Sequence, residues 1–142
     1  LADDPPVMFF LDENQSVCQW LTDAQGQVYM LVNGELHAEQ LALPQFLAVI
    51  LPYQLAQGGF PCSADAVLPK ADLEDERAAI LDELGWPLLA QHNGLTIHGA
   101  GSAMLWSLDA MPGEDEVHLF FSCLNQNELD ELLARFDFVD LG

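Results

Sequence analysis

At 142 residues, 51% of them hydrophobic, the chain has the length of one domain and enough apolar material for a core. Its 23 Asp and Glu face only 3 Lys and Arg, a formal net charge of −20, so most carboxylates lack an intramolecular partner and the surface field is negative. Such a field repels phosphates, which excludes direct nucleic-acid binding; the longest apolar run, around Phe46 to Leu51, is broken by Pro44 and Pro52 and is too short to span a membrane.

Val7 to Leu11 and Ser16 to Leu21 are short apolar runs of strand character. Gln27 to Val32 leads through Asn33-Gly34 into Glu35 to Ala38, the pattern of a two-residue hairpin. Pro44 suits a helix start, and Gln45 to Leu51 is apolar nearly all round, which predicts a buried or interfacial helix. Pro52 is expected to kink or end it, and Gly58-Gly59 to stop what continues. Residues 60–71 hold two prolines and little periodicity, so they read as a loop.

Asp72 is positioned to cap a helix from Leu73, with Glu74, Asp75 and Glu76 near its positive end. Leu73, Ile80, Leu81 and Leu84 share one face of it, and Gly85 terminates it. A second Asn-Gly hairpin runs from Leu88 to His92, through Asn93-Gly94, to Leu95–His98. Strand-like segments follow at Ala103 to Leu108 and Val117 to Leu124, with Met111-Pro112-Gly113 and an acidic cluster between them. Asn125 and Glu128 form a capping-box variant before a stripe of Leu129, Leu132, Leu133, Phe136 and Val139. The order is β-β-β-β-α-α-β-β-β-β-α. That is an α+β fold with mostly antiparallel sheet and about three helices, read as one domain over 1–142. Its halves, 1–59 and 72–142, look roughly alike across the loop at 60–71.

Two-residue turns fix cross-strand partners. The first pairs Val32 with Glu35, Leu31 with Leu36, Met30 with His37 and Tyr29 with Ala38. The second pairs His92 with Leu95, Ala90 with Ile97 and Leu89 with His98. Both sides of the first hairpin are substantially apolar, as are both sides of Ala103 to Leu108 and Val117 to Leu124. A sheet with one wet face alternates cleanly, so these strands need cover on both sides. The cover is either the chain's own helices or, for one face, a second subunit or partner segment. The second alternative predicts a homodimer.

Chemistry-bearing motifs are absent. His92 and His98 fall on opposite faces of their hairpin, no His-x-x-x-His or Cys-x-x-Cys spacing exists, and no acidic cluster has calcium-loop spacing. Ser102 after Gly99-Ala100-Gly101 is not a nucleophile elbow, and no lysine follows those glycines as a phosphate loop requires. No catalytic residue, metal or cofactor is therefore expected. Cys18, Cys62 and Cys123 are widely spaced and odd in number, which suits buried thiols in a reducing compartment. Residues 1–6 lack the basic and apolar regions of a signal peptide, so the expected location is the cytoplasm.

Val28-Tyr29 with Asn33-Gly34-Glu35, the apolar helix, and Ile80 to Trp86 loosely resemble the C-terminal winged-helix segment of bacterial JmjC-type ribosomal oxygenases. The likeness covers less than half of the chain and the family's iron-binding His-x-Asp motif is absent, so no residue role is carried over. As a small, acidic α+β chain with surplus apolar sheet, the protein is similar in general character to the chaperones of bacterial type III secretion, a likeness of class and not of motif. The expected function is a non-catalytic, acidic protein-binding module, dimeric and chaperone-like. Its expected apolar contacts are Met30, Val32, Phe46, Trp106 and Phe120, and its acidic ones Glu74, Asp75, Glu76, Glu114, Asp115 and Glu116. An alternative is an immunity or inhibitor protein whose carboxylates mask a basic active site, such as a nuclease's; another is a small enzyme of unfamiliar type.

Overall fold

Asn33 and Asn93 adopt φ of 52° and 47°, followed by Gly34 and Gly94 at 80° and 81°. Successive left-handed residues are what a tight hairpin turn requires, so both Asn-Gly pairs fold as their sequence dictates. The computed structural model describes residues 7–12 and 18–142. Ser16, at the expected start of the second strand, lies outside the described residues. The chain is α+β, with two antiparallel sheets and three α-helices among the described residues. It forms two compact units, Leu1–Ala48 and Val49–Gly142. No helix among the described residues is long and apolar enough to cross a membrane.

In the first unit, β1 (Val7–Asp12), β2 (Cys18–Asp23), β3 (Gln27–Val32) and β4 (Glu35–Ala42) form a meander in chain order. The β3–β4 register is the one the turn implies, from Val32 opposite Glu35 to Tyr29 opposite Ala38. The β2–β3 turn is tied by Asp23, whose Oδ1 accepts from the backbone N–H groups of Gln25 and Gln27, each at 2.9 Å. One side of the sheet buries Trp20, Thr22 and Val28. Phe46 covers it, with its ring 5.9 Å from those of Trp20 and Phe10. On the opposite side Val7, Phe9, Leu21, Tyr29, Leu31 and Leu36 are half-buried or exposed, and Phe9 is 50% exposed.

The helix α1 (Leu43–Gln54) takes Pro44 in its first turn, as expected. Pro52 does not end it. The helix runs on to Gln54 and widens into a π turn over Leu55–Gly59, closed by the Phe60 N–H to the Leu55 carbonyl at 2.8 Å. Proline removes one helical donor, and a π turn is one way in which a helix accommodates local irregularity.

The second unit holds a six-stranded sheet in the order β10-β5-β9-β8-β7-β6. Its strands are β5 (Cys62–Pro69), β6 (Leu88–His92), β7 (Leu95–Ala100), β8 (Ala103–Leu108), β9 (Glu116–Cys123) and β10 (Val139–Asp140). The segment 60–71, expected as a loop, contains β5, paired with β9 from Cys62 opposite Cys123 to Pro69 opposite Glu116. Its prolines fall just before the strand and at its last residue, where a missing donor does not interrupt the ladder. Val139, expected at the end of a helical stripe, lies in β10 and pairs with Asp65. In the second hairpin Leu88, not Leu89, faces His98, because a bulge at Leu89 shifts the register.

The helices α2 (Leu73–Leu84) and α3 (Gln126–Leu133) cover one side of this sheet. Leu73, Ile80, Leu105, Leu119, Phe121 and Leu129 meet there in the main core. On the other side, Val49, Tyr53, Ala56 and Phe60 pack on Ala90, Ile97, Met104 and Trp106. Asp72 closes a short 3-10 turn with helical backbone angles and makes no side-chain cap, contrary to its expected role. Gly85, at φ 65°, ends α2 with its N–H on the Leu81 carbonyl at 2.8 Å. Asn125 caps α3 by accepting the Glu128 N–H at 3.0 Å. The Glu128 carboxylate does not close the box; it accepts instead from the Ser102 hydroxyl.

Candidate functional site

Past Leu108, β8 turns through Asp109-Ala110-Met111-Pro112-Gly113 and returns as β9. Gly113 takes φ 90°, and the turn closes twice on one residue: the Glu114 N–H donates to the Met111 carbonyl at 3.0 Å, and the Met111 N–H donates to the Glu114 carboxylate at 3.1 Å. The Asp109 N–H donates to the Gly94 carbonyl at 2.9 Å, joining this turn to the second hairpin. The Lys70 N–H donates to the Asp115 carbonyl at 2.9 Å, and the Lys70 ammonium lies 3.8 Å from the Asp115 carboxylate. Between these anchors lies a cleft of about 400 Å³. Leu108, Ala110, Met111, Val117 and Phe120 supply its apolar lining, and Asp109, Glu114, Glu116, Asn93 and His118 its polar lining.

The wall at Phe120 is built on stacked rings. Phe120 stacks on Trp106 at 4.5 Å between centroids, and His118 stacks on Phe120 at 5.6 Å. The Trp106 indole N–H donates to the Ser122 hydroxyl at 2.9 Å, and that hydroxyl donates to the Ala56 carbonyl. At the outer end, His118 Nδ1 lies 2.6 Å from Asp65. The apolar rim is accessible: Leu108 is 46% exposed and Met111 67%.

The structure therefore brings Phe120, Glu114 and Glu116 into one cleft, while Asp115 turns toward Lys70. Glu74, Asp75 and Glu76 are exposed in the first turn of α2, away from that lining, and Glu74 pairs with Arg77 at 2.7 Å. Trp106 and Phe46 are buried, Trp106 against Tyr53 and Phe46 against Trp20, each within its own unit. Met30 and Val32 lie on the Phe46-covered side of the four-stranded sheet, so the open apolar side is that of Tyr29, Leu31 and Leu36. Of the two alternatives for covering Ala103 to Leu108 and Val117 to Leu124, the structure has the first: side chains of the same unit pack on both sides of these strands.

Sequence reading missed Arg77. It is buried, with Nη1 on Glu74 and Nη2 on the buried Ser107 hydroxyl. Its position gives it away: it lies four residues after Leu73 and three before Ile80, inside the apolar stripe of α2. Beside it, a cavity of about 240 Å³ is lined by Glu74, Leu88, Gln91, Thr96 and His98 among others. The His98 Nδ1 is inaccessible and unpartnered. Burial lowers the His98 pKa, the Arg77 charge lowers it further, and Glu74 opposes them. The Cys123 thiol, opposite Cys62, is pushed up to about 12 by burial and then by Glu128 and Cys62, which keeps it protonated and unreactive. Among the described residues, no group of three or more His, Cys, Asp or Glu is arranged to hold a metal ion. No protein-family model matches the chain, and neither does any curated protein or solved structure.

Proposed function

We propose that the chain is a non-catalytic protein-binding module that holds another polypeptide, in the manner of a small acidic chaperone, and that it acts as a dimer. The observation that carries this reading is the open side of the four-stranded sheet, where Phe9, Tyr29, Leu31 and Leu36 stay accessible while the opposite side buries Trp20 and Val28. Contiguous apolar surface of this kind is a common mark of an interaction site. The thiols of Cys62 and Cys123, which face each other across β5 and β9 without forming a disulfide, support a reducing, cytoplasmic setting.

The test is a holding assay with an aggregation-prone basic polypeptide, beside sedimentation equilibrium at micromolar concentration. Wild-type protein is expected to sediment as a dimer and suppress aggregation in low and high salt, and the Leu31→Asp/Leu36→Asp variant to lose both properties. A wild-type monomer with no holding activity would overturn the proposal. The exposed carboxylates of Glu74 and Asp115 favour a second reading, an inhibitor of a basic active site. That reading predicts association that collapses as salt rises, because rim charges are screened.

A further inference from the structure

The three residues that carry fixed positive charge are all engaged: Lys70 with Asp115, Arg77 with Glu74, and Arg135 with Glu83. None of the ion pairs among the described residues reaches Asp109, Glu114 or Glu116, the three carboxylates lining the cleft of the second unit. The neighbouring His118 is turned to Asp65. Among the described residues, each Lys and Arg is thus paired with a carboxylate other than these three. Their apolar neighbours, Leu108, Met111 and Phe120, open to solvent in the same cleft.

From this we infer that the cleft receives a segment of another polypeptide in which Lys or Arg stands beside a bulky apolar residue. The basic head meets Asp109, Glu114 and Glu116, while the apolar side chain lies on Leu108, Met111 and Phe120. Charge complementarity selects the partner and speeds encounter, and apolar burial holds it. An inorganic cation fits poorly, since much of the lining is hydrocarbon. An uncharged apolar segment leaves the carboxylates without a counter-charge. The inference deepens the protein-binding reading and rests on it, but it concerns a different surface from the open side of the four-stranded sheet.

Titration of 15N-labelled protein with a short peptide of alternating Arg and Leu, beside Arg/Ser and Ser/Leu controls, tests it. The Arg/Leu peptide is expected to shift the amide resonances of Leu108, Met111, Glu114, Glu116 and Phe120, and each control to bind at least tenfold more weakly. Glu114→Gln/Glu116→Gln and Met111→Ser are each expected to weaken binding about tenfold, the change a loss of about 1.4 kcal/mol produces. Both alter exposed side chains, and an unchanged thermal midpoint confirms that the fold is intact. Equal binding of the Arg/Ser and Arg/Leu peptides would overturn the apolar half of the inference. Shifts confined to β1–β4, or none with any peptide, would overturn the site itself. Shifts confined to β1–β4 would leave the protein-binding reading standing, and that reading is judged separately by the holding assay with the Leu31→Asp/Leu36→Asp variant.

Discussion

The two sheets of this protein solve the same problem differently. The six-stranded sheet carries apolar residues on both sides and covers both from its own unit, with α2 and α3 on one side and the Val49–Phe60 segment on the other. The four-stranded sheet is also apolar on both sides, yet Phe46 and its neighbours cover one side while the other stays accessible. Two-sided hydrophobicity in a strand therefore states a need for cover without saying what supplies it. Where the following helices bring enough apolar surface, the sheet is a core; where they do not, it remains open to a partner.

The sharpest break of this comparison comes from truncating matched positions. Phe121 is fully buried between Trp86, Phe136 and Phe138, so Phe121→Ala is expected to cost about 3–5 kcal/mol in a denaturant titration. Leu31→Ala, on the open side, is expected to cost less than about 1 kcal/mol under conditions where the chain is monomeric. Equal losses would mean that the four-stranded sheet is enclosed after all.

Arg77→Ala is expected to lower stability by about 1–3 kcal/mol, because the Ser107 hydroxyl loses its donor inside the core and the arginine stem leaves a gap. Thermal melts at matched pH measure this, and a neutral result would return Arg77 to the class of surface charges.

His98 gives a smaller, pH-dependent effect. Its folded pKa lies below the ordinary 6.5, so in the window under 6.5 the unfolded chain binds a proton that folded His98 refuses. The contribution is complete above 6.5 and is lost as pH falls toward the folded value. His98→Gln should therefore flatten the dependence of the melting temperature on pH in that window, and an unchanged slope would contradict the burial assigned to the ring. The smallest effect is expected at Arg135, whose pair with Glu83 is solvent-exposed at 3.3 Å; Arg135→Gln should change stability by less than about 1 kcal/mol.

How much of this was legible in the sequence depended on how strongly a local rule constrains the backbone. The Asn33-Gly34 turn admits one register, and the structure has it. Asn93-Gly94 sets its first pairs equally well, but the bulge at Leu89 is a tertiary event with no local signature. The strand β5 was hidden because Cys62, Ala64 and Ala66 face inward with little bulk, which blurs the alternation, and because two prolines suggested a break. Arg77 was passed over because a charge on a helix is usually solvated, although its spacing placed it in the buried stripe. The cleft was half legible. Glu114, Glu116 and Phe120 were singled out separately, but only the fold brings Leu108 and Met111 beside them.

Lys70 is the one lysine of the sequence, and its backbone and ammonium are both held against Asp115, in the middle of the acidic turn between β8 and β9. Amine-directed chemistry thus finds a single side-chain target, next to the carboxylates that line the cleft. A fluorophore or photo-crosslinker attached there would report from the rim of that cleft, and acetylation at the same nitrogen would remove a positive charge from it. The shortage of bases that defines the composition also makes this turn a uniquely addressable place on the molecule.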